Sequence, residues 1–146
     1  MNPAHADPRV QRVVAFFEGL QRRDLQRMAT FYTADAFFKD PFNEVNGCAA
    51  IERIFNHMFD ALDEPRFKVH QAVLQGDDCF LTWDFLFRMK RFDRSEQCIR
   101  GGSHLVLAED GRIALHRDYW DAAEELYEKL PVLGGLMRWL KKRANS

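Results

Sequence analysis

The spacing of the apolar residues changes once, at Asp63-Glu64-Pro65, and that change decides what this chain can fold into. Before it, apolar side chains recur every three or four residues. Val10, Val13, Val14, Phe17 and Leu20 predict a helix over residues 8–22, opened by Asp7 as N-cap and Pro8 at the first helical position. Asp24 is expected to cap a second, shorter helix carrying Leu25 and Met28. Ile51, Ile54, Phe55, Met58, Phe59 and Leu62 fall on one face of a longer helix over 48–62. After the change the period is two. Phe67, Val69 and Val73, then Trp83, Phe85 and Phe87, then Ile99, Ser103, Leu105 and Leu107 read as strands, with a polar loop at 93–97. Glu109-Asp110-Gly111 is a tight hairpin turn, and Ile113 to Trp120 is the returning strand. A short earlier strand, Ala36-Phe37-Phe38, ends at Asp40-Pro41, where the proline holds Asp40 extended. Helices followed by long antiparallel strands give an α+β layout, in which helices cover one face of a bent sheet.

The whole chain narrows the possibilities further. Its 146 residues make room for one domain, 1–146, and no linker or repeat divides it. A chain of this length buries roughly 70% of its unfolded surface and can carry its own core. Its 13 phenylalanines fill a core, line a pocket or close a subunit interface. With 21 basic and 22 acidic residues scattered along it, the chain is not a nucleic-acid binder. The Met1–Asp7 stretch lacks the cationic-then-apolar order of a secretory signal, and no apolar run is long enough for membrane insertion. Cys48, Cys79 and Cys98 form no C-x-x-C pair and read as reduced thiols of a cytoplasmic protein. No His, Asp, Glu or Cys cluster has metal-ligand spacing, and no Gly-rich loop joins a strand to a helix, so neither metal nor cofactor is expected. Asp121 is expected to cap a closing helix. Residues 122–146 form a helical cap, with Leu130, Leu133, Leu136, Met137 and Leu140 ahead of Lys141-Lys142-Arg143; a surface-binding amphipathic helix is the other reading of that tail.

Two stretches resemble a known family. Phe31-Tyr32-Thr33-Ala34-Asp35-Ala36 through Asp40-Pro41-Phe42, with Gly47 opening a long helix, is similar to the first half of ketosteroid isomerases and SnoaL-like cyclases. Asp110-Gly111-Arg112-Ile113 followed by Tyr119-Trp120 resembles their last hairpin. The resemblance runs to about residue 121 and implies the cone-shaped nuclear transport factor 2-like (cystatin-like) fold, an enclosed apolar pocket and a homodimer. It does not imply one reaction, because the fold hosts isomerases, cyclases, hydrolases and non-catalytic binding modules.

The same resemblance nominates Asp40, at the Asp-Pro corner, as a general base whose pKa burial would raise; acceptance of backbone N–H bonds at a turn is the alternative role. The oxyanion donors of the isomerases fall at Phe16 and Ser103, neither of which supplies the tyrosine hydroxyl or the carboxylic acid required. Tyr32 is kept, either on the pocket wall or as a buried ring with its hydroxyl bonded nearby. On the last strand His116, Asp118 and Trp120 share one face, and Arg117 and Tyr119 the other. With Trp120 lining the pocket, His116 and Asp118 would form a histidine–carboxylate pair inside it, catalytic or a strut that fixes the strand. A similar run carries the base of limonene-epoxide-hydrolase-like enzymes, whose second aspartate and arginine are replaced here by Trp83 and Phe85. Trp83, Phe85 and Phe87 are expected as pocket wall, with Phe55 of the long helix facing them. His57 is expected on a solvated helix face, and Arg100 and His104 at a subunit interface. The leading reading is an acid–base isomerase or cyclase acting through Asp40, His116 and Asp118 on a small apolar ring-like or isoprenoid-like molecule. A non-catalytic ligand-binding or dimerisation module competes with it, and epoxide hydrolysis through Asp118 stands third.

Overall fold

The computed structural model describes residues 6–91, 93–122, 124, 125 and 142; the expected tail from Leu130 to Arg143 falls almost wholly outside them. Helix α1 spans Pro8–Glu18, and the Asp7 carboxylate accepts the Arg9 N–H at 2.8 Å, as the sequence predicts for an N-cap. It ends four residues before the spacing suggested, at Gly19, and Leu20 is buried from the loop beyond. A 3-10 turn, Arg22–Arg27, follows. Asp24 is not its N-cap: Gln21 holds that place, and the Asp24 carboxylate reaches back to the Gln21 N–H at 2.8 Å. One short helical turn, α2 (Met28–Phe31), leads straight into β1 (Tyr32–Lys39), which therefore starts four residues before the predicted Ala36. Strand β2 (Glu44–Asn46) turns back on β1, and Gly47, at φ +100°, opens α3 (Cys48–Ala61).

No loop separates α3 from β3 (Leu62–Gln75). Asp63-Glu64-Pro65 ends the helix yet belongs to the strand, where Glu64 at φ 52° and a register shift between Asp63 and Arg66 mark a bulge. Pro65 can sit there because β3 is an edge strand, which leaves one side of its backbone without a ladder partner. Strands β4 (Asp78–Met89), β5 (Gln97–Leu107) and β6 (Ile113–Tyr119) complete a six-stranded sheet of order β2-β1-β6-β5-β4-β3. Every pairing is antiparallel except β1 with β6. α3 packs on both β1 and β3, which lie toward opposite edges of the sheet, and α1 packs on β3. One helix can touch both only if the sheet curls around it. That curl makes the hollow.

The inner face carries Cys79, Leu81, Trp83, Phe87 and Met89 of β4 and Ile99, Ser103, Leu105 and Leu107 of β5, all buried. Strand β6 reaches that face by an irregularity. Leu107 pairs with Ile113 but Val106 pairs with Leu115, so Ala114 is extra and the alternation flips. Ile113 and His116 consequently both point inward. The outer face leaves Val73, Phe80 and Tyr119 exposed at 58%, 41% and 46%. Among the described residues no helix is long and apolar enough to cross a membrane.

Gly101 lies opposite Trp83, and a Cβ at that position would come within 2.6 Å of the indole ring. Gly101→Ala is therefore expected to displace Trp83 and cost about 1–3 kcal/mol, measured by urea unfolding; an unchanged midpoint would show that the ring is not held where it stands.

Candidate functional site

Between α3 and the curled sheet lies an apolar cavity of about 110 Å³. Phe55 comes from α3, Trp83 and Phe85 from β4, and Trp120 from the end of β6. A smaller recess of about 20 Å³ adjoins it, sharing Phe55, Phe67, Trp83 and Asp118 and adding Ser103 and His116. Asp118 therefore stands between the two spaces. Asp40 lines the larger one at the end of β1, and His116 only the smaller.

A chain of hydrogen bonds fixes Asp118. Ser103 lies opposite it in the ladder and donates from Oγ to Oδ1 at 2.5 Å. His116, two residues earlier on the same face, shares a 2.7 Å hydrogen bond between Nε2 and the same Oδ1. His116 is 3% exposed, and its Nδ1 is 2.7 Å from the Tyr32 hydroxyl. On the other side the Trp83 indole N–H donates to Ser103 Oγ at 2.8 Å. Burial raises the Tyr32 phenol well above its usual range, so the hydroxyl keeps its proton and donates. One hydrogen-bond order satisfies every member: Tyr32 donates to His116 Nδ1, His116 donates from Nε2 to Asp118 Oδ1, and Trp83 donates to Ser103, which donates to Asp118. Both fixed donors end on Oδ1, and among the described residues none reaches Oδ2.

Asp40 is held differently. Its Oδ1 accepts the backbone N–H groups of Phe42 (2.8 Å) and Asn43 (2.6 Å), an Asx turn around Pro41. The Asn43 amide adds 3.1 Å bonds to both carboxylate oxygens. The turn role and the pocket position thus coexist. Burial raises its pKa to about 6; the hydrogen bonds from Asn43 pull it down, and the charge of Asp118 pushes it further up.

Several expected positions differ. Phe16 is core, stacked on Phe31 at 4.0 Å, and lines neither space. Tyr32 is fully buried behind His116 and is not pocket wall. Ser103 lines only the recess, its hydroxyl committed to Asp118. Phe55, Trp83, Phe85 and Trp120 line the cavity. His57 is half-buried rather than fully solvated: it lines the cavity, with a buried Nδ1 that has no partner. The α3 stripe is wider than its largest apolar residues imply, because the curled sheet meets that helix on two sides. Arg100 pairs with Glu124 and Glu125, and His104 with Asp78, all within this chain. Asn43 was not anticipated, although Asp40 three residues before an asparagine is the pattern of an Asx turn. Among the described residues no three His, Cys, Asp or Glu side chains are grouped to hold a metal ion.

The sequence profile of the SnoaL-like domain family matches residues 13–116, and the chain belongs to that family. Among curated proteins none matches it. Solved structures with the same fold include a hypothetical protein of ketosteroid isomerase-like fold from Catenulispora acidiphila, in complex with trimethylamine. It is 15% identical, with 87% of this chain and 92% of that one covered and a TM-score of 0.70. An LEH-like epoxide hydrolase from M. tuberculosis is 19% identical, with 89% and 90% covered and a TM-score of 0.68. TerC, co-crystallised with polyporic acid, is 15% identical, with 90% and 99% covered and a TM-score of 0.71. At these identities the likeness establishes the shared nuclear transport factor 2-like fold.

Because the pKa of Asp40 in the folded protein, about 6, lies above its unfolded value, protonation favours the folded state. This contribution is fully present below about pH 4 and is lost as pH rises through about 6. Asp40→Asn should therefore gain stability relative to wild type across that window, by up to about 3 kcal/mol. Chemical denaturation at pH 4, 6 and 8 would measure it, and a pH-independent difference would place Asp40 in water.

Proposed function

We propose that this protein is a cofactor-independent acid–base enzyme, an isomerase or cyclase, that moves a proton on a small, largely apolar ring or isoprenoid-like molecule. The observation that carries this reading is the pair of carboxylates, Asp40 and Asp118, facing one aromatic cavity with different hydrogen-bond surroundings. Asp118 is assigned as the base. With Oδ1 anchored by Ser103 and His116, Oδ2 is left to take a proton from a carbon next to a carbonyl. Asp40 is assigned as the acid: a carboxyl with a pKa of about 6 keeps a protonated fraction near neutral pH and can donate to the developing enolate oxygen. His116 and Tyr32 then act as positioning residues that hold Asp118 oriented.

Two other readings have support. A non-catalytic ligand-binding module is favoured by Phe16 and Ser103, neither of which offers a free donor to an oxyanion. Epoxide hydrolysis with Asp118 activating water is favoured by the fold shared with the M. tuberculosis epoxide hydrolase. A cytoplasmic location accords with Cys48 and Cys79 remaining as thiols. We further propose a homodimer through the outer sheet face, supported by the exposed Val73, Phe80 and Tyr119.

Turnover of a β,γ-unsaturated ketone tests the assignment. Asp118→Asn should lower kcat by about 10²–10⁴, and the wild-type rate should fall as pH rises through about 6, a fall that Asp40→Asn abolishes. Full turnover by Asp118→Asn would remove the base. Light scattering at micromolar concentration should give twice the chain mass for wild type and the single mass for Phe80→Glu; a wild-type monomer would refute the dimer.

A further inference from the structure

The turn Asp40-Pro41-Phe42-Asn43 joins β1 to β2, and its shape is held without the side chain of Asn43. The Asp40 N–H donates to the Asn43 carbonyl at 2.9 Å, and the Phe42 and Asn43 N–H groups donate to Asp40 Oδ1 at 2.8 and 2.6 Å. Any residue but proline at position 43 supplies the same backbone bonds. The Asn43 amide is therefore surplus to the turn. It is also unfavourable where it stands: Asn43 is 8% exposed, and its Oδ1 is buried with no hydrogen-bond partner among the described residues. An unpartnered buried acceptor destabilises a fold, and an apolar side chain of similar size would avoid it. What the amide does is donate from Nδ2 to both oxygens of Asp40, each at 3.1 Å. A polar group kept at a loss in stability, against a carboxyl that lines the cavity, answers to the site and not to the turn.

We propose that Asn43 is a positioning residue for Asp40, its amide fixing the plane of the carboxyl group and confining the acidic proton to Oδ2. The role of Asp40 as acid rests on the acid–base reading above; the contact itself does not. Two bonds from one amide to the two ends of a carboxyl group resist its rotation. A carboxylate offers about four lone-pair sites over its two oxygens. Among the described residues Oδ1 takes three donors, two from the backbone and one from the amide, whereas Oδ2 takes the amide alone. A proton on Asp40 therefore has its place on Oδ2. The same bonds favour the ionised form. Burial raises the Asp40 pKa to about 6, and the Asn43 amide is the strongest influence against that rise, ahead of the opposing charge of Asp118 and the two backbone N–H groups. Of the other titratable groups nearby, Asp118 of β6 and His57 of α3 line the same cavity, and Lys39, beside Asp40 in β1, lies 3.9 Å from Glu44 of β2. Among the described residues none of these donates to Asp40. Without the amide, Asp40 holds its proton to higher pH and gives it up less readily.

The pH at which Asp40 titrates reads this contact directly. In the full-length protein labelled with carbon-13, the Asp40 carboxyl resonance, assigned by its loss in Asp40→Asn, should titrate with a midpoint of about 6. Asn43→Leu should raise that midpoint by about 1–2 pH units, and Asn43→Gln, which keeps an amide donor, should raise it by less. In turnover of a β,γ-unsaturated ketone, the fall in rate with rising pH should move upward by the same interval in Asn43→Leu. A residue that only closed the turn would change stability and leave both midpoints in place. If Asn43→Leu does not fold, Asn43→Met, apolar but unbranched, takes its place, since the backbone bonds remain in both. A midpoint unchanged or lowered in the apolar variant would overturn the proposal. So would a rise in Asn43→Gln as large as in the apolar variant, which would assign the effect to burial. The resonance is read without substrate, so absent turnover would refute the acid–base reading and leave the titration to decide the contact. A fixed midpoint would refute the contact while turnover through Asp118 stands.

Discussion

Four hydrogen bonds in series, from Tyr32 through His116, Asp118 and Ser103 to Trp83, tie strands β1, β6, β5 and β4 across the inner face of the sheet. The rest of the site depends on this chain. A carboxyl group in an aromatic hollow is expensive to bury unless fixed partners replace the water it has lost. Here Ser103 and His116 replace it on one oxygen only. Among the described residues none donates to the other oxygen, and Asp118 lines the cavity, which is the basis for its proposed role as the base. The same bonds fix the Trp83 ring, and Gly101 beneath it leaves the room the ring needs.

The two carboxylates of the cavity are held by different means. Asp40 is bound mainly by backbone N–H groups of its own turn and the Asn43 amide, Asp118 by side chains of its own and a neighbouring strand. Separation of two like charges into different environments is how one apolar pocket keeps both an acid and a base at the same pH. Beside them two buried polar atoms, Asn43 Oδ1 and His57 Nδ1, have no hydrogen-bond partner.

Much of this was legible in the residues. The switch of period at Asp63-Glu64-Pro65 gave the class of fold. The Asp7-Pro8 cap, the α3 stripe and the Glu109-Asp110-Gly111 turn placed three elements within a few residues. The shared face of His116, Asp118 and Trp120 followed from the two-residue repeat alone. Less legible were positions whose neighbours are remote in sequence. The resemblance put Phe16 at an oxyanion-donor position of the pocket, but it is stacked on Phe31; Tyr32 is the buried, bonded ring of its two readings, and its partner His116, 84 residues away, could not be named from spacing. His57 looked wholly solvated because a helical stripe is judged by its largest apolar residues, while the curled sheet meets α3 on two sides and leaves His57 half-buried.

By itself the sequence determined the local rules: where helices begin, where strands alternate, and which residues must share a face, all set by interactions a few residues apart. Only the tertiary structure decided which faces became the inside. The extra residue at Ala114 reverses the alternation of β6, so that Ile113 and His116 both enter the core, and no pattern within that strand announces it. The parallel pairing of β1 with β6 then brings the Asp40 corner and Asp118 to one cavity. The physical reason is that strand register and sheet curl are settled by packing between segments distant along the chain, where no short-range spacing is left to read.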